Sequence, residues 1–302
     1  MVALPNGVLI DNLIEDLKNY SWDAADVLLS YSKKIKNLSE KSEFLKSLDL
    51  SDPVTEADLK VNERMIHNIQ ENYFDMDYEI LSEENAKQES ETAVKKADWL
   101  WILDPLDGTK DFIQGTGNYA MHLALNYKKK IYIGIVLIPE KDELWISNGE
   151  KTWCESRNNS LKKFKFSDVN SLQEMIIVTS KNHRNDNLKK LIKEINFKKV
   201  IVMGSIGCKI SSILRGESDI YISISLPGES SPKDWDFAAP EAILKTAGGA
   251  ITNIDNEELS YGGLNYEKGG IIVATNNRKT HKDICLEVKK IIKKYDLYPL
   301  EY

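Results

Sequence analysis

Trp99-Leu100-Trp101-Ile102-Leu103 runs directly into Asp104-Pro105-Leu106-Asp107-Gly108-Thr109, and this join constrains the fold more than any other segment. Five consecutive apolar residues bounded by turn formers read as a buried strand. Its end delivers two carboxylates and a backbone carbonyl together. Pro105 fixes one dihedral, Gly108 permits a tight turn, and Thr109 sets a hydroxyl one residue past the glycine. Such an oxygen-rich group suits a hard cation, above all magnesium, which commonly joins protein carboxylates to substrate phosphate. These residues therefore predict metal-assisted phosphate hydrolysis. Taken alone, Asp, Pro and Gly are also the usual residues of a strand-terminating turn.

A chain of 302 residues can bury a sizeable core as one large domain or two fused halves. Its formal charge of −7 argues against a nucleic-acid partner, because phosphate-backbone affinity rests on clustered Lys and Arg. A small anionic substrate stays compatible, since bound divalent cations reverse the local potential. The three cysteines, Cys154, Cys208 and Cys285, are widely separated and suggest neither a disulfide framework nor a zinc cluster. No basic n-region with an apolar h-region opens the sequence, and no run approaches ~20 apolar residues. A cytoplasmic protein with no membrane partner is expected.

Apolar spacing predicts helices over about 8–36 and again after Thr55-Glu-Ala-Asp58. Trp22-Asp23-Ala24-Ala25 lies inside the first helix and is expected to serve packing only. Residues 84–98 are polar and acidic and read as a solvated loop or a short exposed helix. Met121–Tyr127 and Ile131–Ile138 form a hairpin, with Leu144–Ile146 as a further strand, and the polar stretch 155–163 is the best candidate boundary. Beyond it, strands at Met175–Val178, Val200–Met203, Asp219–Ser225 and Ile271–Ala274 alternate with helices near 185–195, 207–215 and 236–247, before a basic C-terminal helix.

Two more acidic signals stand far from the first, Glu83-Glu84 after Tyr78–Ser82, and Trp235-Asp236-Phe237-Ala238-Ala239. With Asp104–Thr109 they resemble the inositol-monophosphatase-like, lithium-sensitive family of magnesium phosphatases, and the resemblance runs from Asp58 through Gly249. It implies an α+β / α/β fold, a layered αβαβα sandwich of the sugar-phosphatase type. Residues 1–302 form one unit, with an α+β half over 1–160 that carries most metal ligands. An α/β half over 161–302 then carries Asp236 and the substrate subsite.

By the same resemblance, Glu83, Asp104, Asp107, Asp236 and the carbonyl of Leu106 hold two to three magnesium ions. Asp58 and Thr109 orient the attacking water and take its proton, and Gly108 and Thr109 contact the substrate phosphate. Read without the resemblance, Asp58 completes a capping box with Thr55, and Asp236 caps the helix that follows. Capping and metal binding are compatible. Asp234 is a rival ligand, but Asp236 directly follows Trp235 as the motif requires.

Lys110-Asp111 after the motif resembles the 3'(2'),5'-bisphosphate nucleotidases, as do Thr179-Ser180-Lys181-Asn182-His183 and Gly204-Ser205-Ile206-Gly207-Cys208-Lys209. Ser180, His183, Ser205 and Lys209 are then expected beside the nucleotide's retained phosphate or ribose. The implied reaction is removal of the 3'-phosphate of adenosine 3',5'-bisphosphate, with its phosphosulfate relative as a further substrate, by a monomer or homodimer. An inositol or sugar phosphatase is the alternative. A nucleotide-binding regulator without turnover is disfavoured, because every catalytic position of the motifs is filled.

Overall fold

The computed structural model describes residues 4, 8–36, 56–88, 96–181 and 184–300. Two helices open the described chain, α1 (Ile10–Lys36) and α2 (Glu56–Asn72). After them come β1 (Tyr78–Ser82), the short α3 (Glu83–Gln88), β2 (Trp99–Asp107) and α4 (Thr109–Gln114). Strands β3 (Ala120–Tyr127), β4 (Lys130–Ile138), β5 (Glu143–Ser147), β6 (Thr152–Glu155) and β7 (Leu161–Lys162) complete a seven-stranded sheet in sequential order. Only the β1–β2 pair is parallel.

The unbroken apolar run of β2 follows from burial of both its faces. Trp99, Trp101 and Leu103 join a core under α1 and α2, with Leu13, Leu17, Val61 and Met65. Leu100 and Ile102 point the other way, into a core shared with the second half of the chain. Within α1, Ala24 and Ala25 are buried in the first core and Asp23 is exposed, so Trp22-Asp-Ala-Ala serves packing as expected.

The second half supplies β8 (Ile176–Ser180), α5 (Asp186–Ile195), β9 (Lys199–Met203), α6 (Ile206–Leu214), β10 (Ile220–Ser225) and α7 (Asp234–Ala247). β11 (Ala250–Asn253), β12 (Gly270–Thr275) and α8 (Arg278–Tyr295) follow. Its five strands are ordered β11-β12-β10-β8-β9. α6 and α7 fill the space between the sheets: Ile210, Phe237 and Ile243 meet Ile102 and Val136 on one side and Tyr221 and Ala274 on the other. Every residue of α6 is buried, as an apolar helix between two layers must be. α7 lies so close on β4 that a Cβ at Gly134 would fall 2.4 Å from the Ala242 Cβ. α5 and α8 cover the outer face through Leu188, Leu191, Ile284 and Val288. The layers therefore read helix, sheet, helix, sheet, helix.

The polar stretch 155–163 is the end of β6, the turn after it and β7, so it extends the first sheet. Helix α7 begins two residues earlier than predicted, which puts Pro240 in its second turn. Among the described residues, no helix is long and apolar enough to cross a membrane.

Candidate metal centre and cleft

Strand order brings the acidic residues together. β1 and β2 run parallel with Ser82 opposite Leu103, so the residues following each strand emerge at the same end of the sheet. Between Asp104 and Asp107 the pairing of β2 with β3 slips, and this bulge turns both carboxylates out of the ladder. Leu106 N donates to Asp104 Oδ1 at 3.0 Å and the Thr109 hydroxyl donates to the Leu106 carbonyl at 3.1 Å. Gly108 closes the turn at φ 89°, where a Cβ would sit 2.9 Å from the Asn118 carbonyl oxygen. Only glycine fits there.

α7 arrives from between the sheets with Asp236 in its first turn, the Oδ2 accepting from Lys233 N at 2.7 Å. Carboxylate oxygens of Asp104, Asp107 and Asp236 then lie within 4.8 Å of one another. Asp107 is fixed from a second direction by the N-terminus of α6. Its Oδ2 accepts from Ser205 Oγ at 2.7 Å, Ile206 N at 2.5 Å and Gly207 N at 3.2 Å, an arrangement that favours negative charge.

Buried His122 completes this floor. Its Nδ1 lies 3.2 Å from the Trp235 carbonyl oxygen and its Nε2 lies 3.3 Å from Asp107 Oδ2. A carbonyl only accepts, so Nδ1 carries the proton. Burial favours the neutral ring, outweighing the pull of Asp107 towards the cation. Nothing in the sequence singles His122 out. The missing signal was its cross-strand register opposite Asp104.

The acids repel one another. Burial first, and then Glu83, Asp107, Asp236 and Asp58, push Asp104 well above the usual carboxylate range. Burial and Asp107 push Asp236 up to about 8. Burial also raises Glu83, against the opposing effect of Lys87 at 3.0 Å. Clustered carboxylates of this kind are stabilised by a hard cation. Asp58, buried on α2, adds to the field at Asp104.

Above this floor opens a cleft of about 890 Å³, whose lining includes Glu83, Asp107, Gly108, Thr109, Ser180, Lys209 and Asp236. Lys110, Lys181, Arg184 and Lys233 add positive charge, and Tyr221, Trp235 and Tyr266 add aromatic surface. Two expected residues behave differently from the sequence reading. Ser205 is fully buried and absent from the cleft lining. Its hydroxyl donates to Asp107 and accepts from Cys208 N as the cap of α6, so it holds a candidate ligand instead of meeting substrate. Lys209 lines the cleft but is only 1% exposed. Its Nζ donates to the Gly204 carbonyl and lies 5.4 Å from the Tyr221 ring centroid, and burial lowers its pKa against the pull of Asp107 and Asp236. Asp234, the rival ligand, bonds to Gly262 N and Lys268. His183 and Thr55 lie outside the described residues.

The profile of the inositol monophosphatase family matches residues 10–293. The chain belongs to that family. Its members are metal-dependent phosphatases, and the three-aspartate cluster could hold an ion. The chain is 30% identical over 161 residues to the 3'(2'),5'-bisphosphate nucleotidase CysQ of Buchnera aphidicola, a match covering 53% of this chain and 57% of that protein. It is also 30% identical over 235 residues to the bifunctional phosphatase IMPL2, chloroplastic, of Arabidopsis thaliana, covering 76% and 61% respectively. Both matches span less than two thirds of the relative's length. The structure of CysQ from Bacteroides thetaiotaomicron superposes with a TM-score of 0.71 at 23% identity, over 90% of this chain and 100% of that one.

Proposed function

We propose that this protein is a magnesium-dependent phosphatase that removes the 3'-phosphate of adenosine 3',5'-bisphosphate, with the corresponding phosphosulfate as a second substrate. The observation that carries the phosphatase chemistry is the convergence of Asp104, Asp107 and Asp236 within 4.8 Å at the base of a cleft flanked by Lys and Arg. The donor set fits a hard cation: all oxygen, buried or half-buried, and mutually repulsive without positive charge. Glu83, Asp104, Asp107, Asp236 and the Leu106 carbonyl would hold two to three magnesium ions. Magnesium, when bound, supplies Lewis acidity and a water of lowered pKa.

The remaining work falls to the chain. Thr109 directs its proton at the Leu106 carbonyl, so it meets a water as an acceptor. Asp58, buried on α2 within electrostatic reach of Asp104, is assigned as the second acceptor for that water's proton. The Gly108–Thr109 turn, at the start of α4, contacts the phosphate. Lys110, Lys181 and Arg184 face the anionic substrate across the cleft and contribute charge-assisted contacts.

The nucleotide reading draws its support from the CysQ names among the relatives and from Lys110-Asp111 after the glycine. The inositol or sugar phosphatase reading is favoured by a different observation: Ser205 is turned into the floor, where it caps α6 and bonds to Asp107, which removes one member of the expected nucleotide subsite. A phosphate-release panel with adenosine 3',5'-bisphosphate, inositol 1-phosphate and fructose 1,6-bisphosphate, each with magnesium, separates the two. Preference for the nucleotide is expected, and preference for inositol 1-phosphate would promote the alternative. Nucleotide binding without turnover would instead identify a regulator.

A further inference from the structure

Asp234 and Lys268 form an ion pair that the phosphatase chemistry does not use. Asp234 is 0% exposed and its carboxylate takes Lys268 Nζ on one oxygen and Gly262 N, at 2.6 Å, on the other. Breaking or burying such a pair is costly, and a buried pair is a poor source of net stability compared with apolar packing. Its use here lies in where it sits, two residues before Asp236.

The loop 261–268 grips each residue that leads into the first turn of α7. Lys268 N donates to the Pro232 carbonyl at 2.7 Å, and Lys233 Nζ donates to Glu267 Oε1 at 2.8 Å. The ring of Tyr266 stands 6.0 Å from that of Trp235. Tyr261, under the Lys268 ammonium at 5.0 Å, donates its hydroxyl to Glu241 further along the same helix. The loop carries backbone strain to do this, with Asn265 at φ 60° and the bulky Tyr266 at φ 57°, conformations that persist only where the surroundings over-determine them. On its other side Asp236 faces Asp104 and Asp107, and the three carboxylates repel one another in the ionised form that takes a cation.

We propose that the buried Asp234–Lys268 pair, through the loop it anchors, is a positioning device that holds Asp236 against the repulsion of Asp104 and Asp107, so that the site takes up its cation without rearrangement. Asp234 and Lys268 are positioning residues, acting through Asp236. The proposal rests on the reading of the aspartate cluster as the metal site. It assigns Asp234 a task other than ligation.

The test is magnesium binding by titration calorimetry alongside thermal unfolding of the metal-free protein. Lys268→Met should weaken magnesium at least tenfold, and Lys268→Arg should restore most of that loss. Arg215→Met is the comparison: it breaks another ion pair, Arg215 with Glu143 at 2.7 Å, at the opposite end of α6 from Asp107. It should lower the unfolding temperature without changing magnesium affinity. If Lys268→Met fails to fold, the neutral double variant Asp234→Asn/Lys268→Met replaces it, with the same tenfold weakening expected. A folded variant that binds magnesium within twofold of wild type overturns the proposal alone. Wild-type protein that binds no divalent cation overturns the reading of the metal site, and this proposal with it.

Discussion

Replacing Asp107 by Asn separates the two tasks that the residue performs. Asp107 Oδ2 accepts three donors from the start of α6, and an amide oxygen can keep all three. Keeping them puts the Asn Nδ2 where the Asp107 Oδ1 stood. In metal-free protein that change brings opposing effects. With carboxylate oxygens within 4.8 Å, two unit charges with an effective dielectric of 20 repel by about 3 kcal/mol, and above about pH 8, where Asp236 is ionised, the substitution removes that repulsion. Exchanging charge-assisted for neutral hydrogen bonds costs roughly 0.5–1.5 kcal/mol each, and the favourable field of the helix terminus, worth ~0.3–2 kcal/mol, is also lost. The sums are comparable, so above about pH 8 metal-free Asp107→Asn should unfold within about 2 kcal/mol of wild type.

With magnesium the outcome differs, because a cation then meets N–H donors where a carboxylate stood. Turnover should fall by at least ~100-fold, about 2.7 kcal/mol of transition-state stabilisation, and stabilisation by added magnesium should shrink with it. The assays are phosphate release at saturating substrate and urea unfolding with and without magnesium. Near-normal turnover in a correctly folded variant would refute the placement of Asp107 at the metal. A variant that cannot fold would show that its main task is to cap α6.

Three further outcomes are expected. Lithium should inhibit in the presence of magnesium, since a small hard monovalent cation fits an oxygen site yet supplies less charge; turnover unchanged well into the millimolar range would count against it. Magnesium affinity should rise with pH from about 6 to 8, because Asp236, pushed up to about 8 by burial and Asp107, must lose its proton to ligate. Calorimetry at both pH values checks this, and a flat profile excludes Asp236 from the ligand set. His281, between Thr252 and Thr275 at 2.8 Å each, has its pKa lowered to about 4 by burial. Unfolded chain therefore binds the extra proton between pH 6.5 and 4, so stability present above pH 6.5 is lost on acidification, by about 3 kcal/mol. His281→Gln should flatten that part of a urea-midpoint profile, and an unchanged slope assigns the loss to other groups.

Much of this architecture was legible because the informative residues are local. The apolar run of β2 announces a strand buried on both faces, and α1 shows its helical stripe in Leu13, Leu17 and Leu28. The short strands β6, β7 and β11 were not anticipated. They have two to four residues each, too few for alternation to register, and they exist because a neighbouring edge was there to pair with. Glu83, Asp104, Asp107 and Asp236 could be placed together only through the family resemblance. Nothing within 130 residues of sequence requires Asp107 and Asp236 to meet.

Ser205 shows why side-chain roles were harder to read than positions. A Ser before a helix has a capping reading and a ligand-contact reading, and the sequence leaves both open. The structure separates them through depth. Asp107 occupies the space above α6 and takes the hydroxyl of Ser205 together with the amides of Ile206 and Gly207, so the serine is held beneath the aspartate and away from the cleft lining. Lys209, one helical turn further in, is drawn to the Gly204 carbonyl and the Tyr221 face. A lysine of that length could also have reached outward along the cleft. Burial, which no spacing rule reports, decides between a side chain open to the cleft and one that braces the residues beneath it.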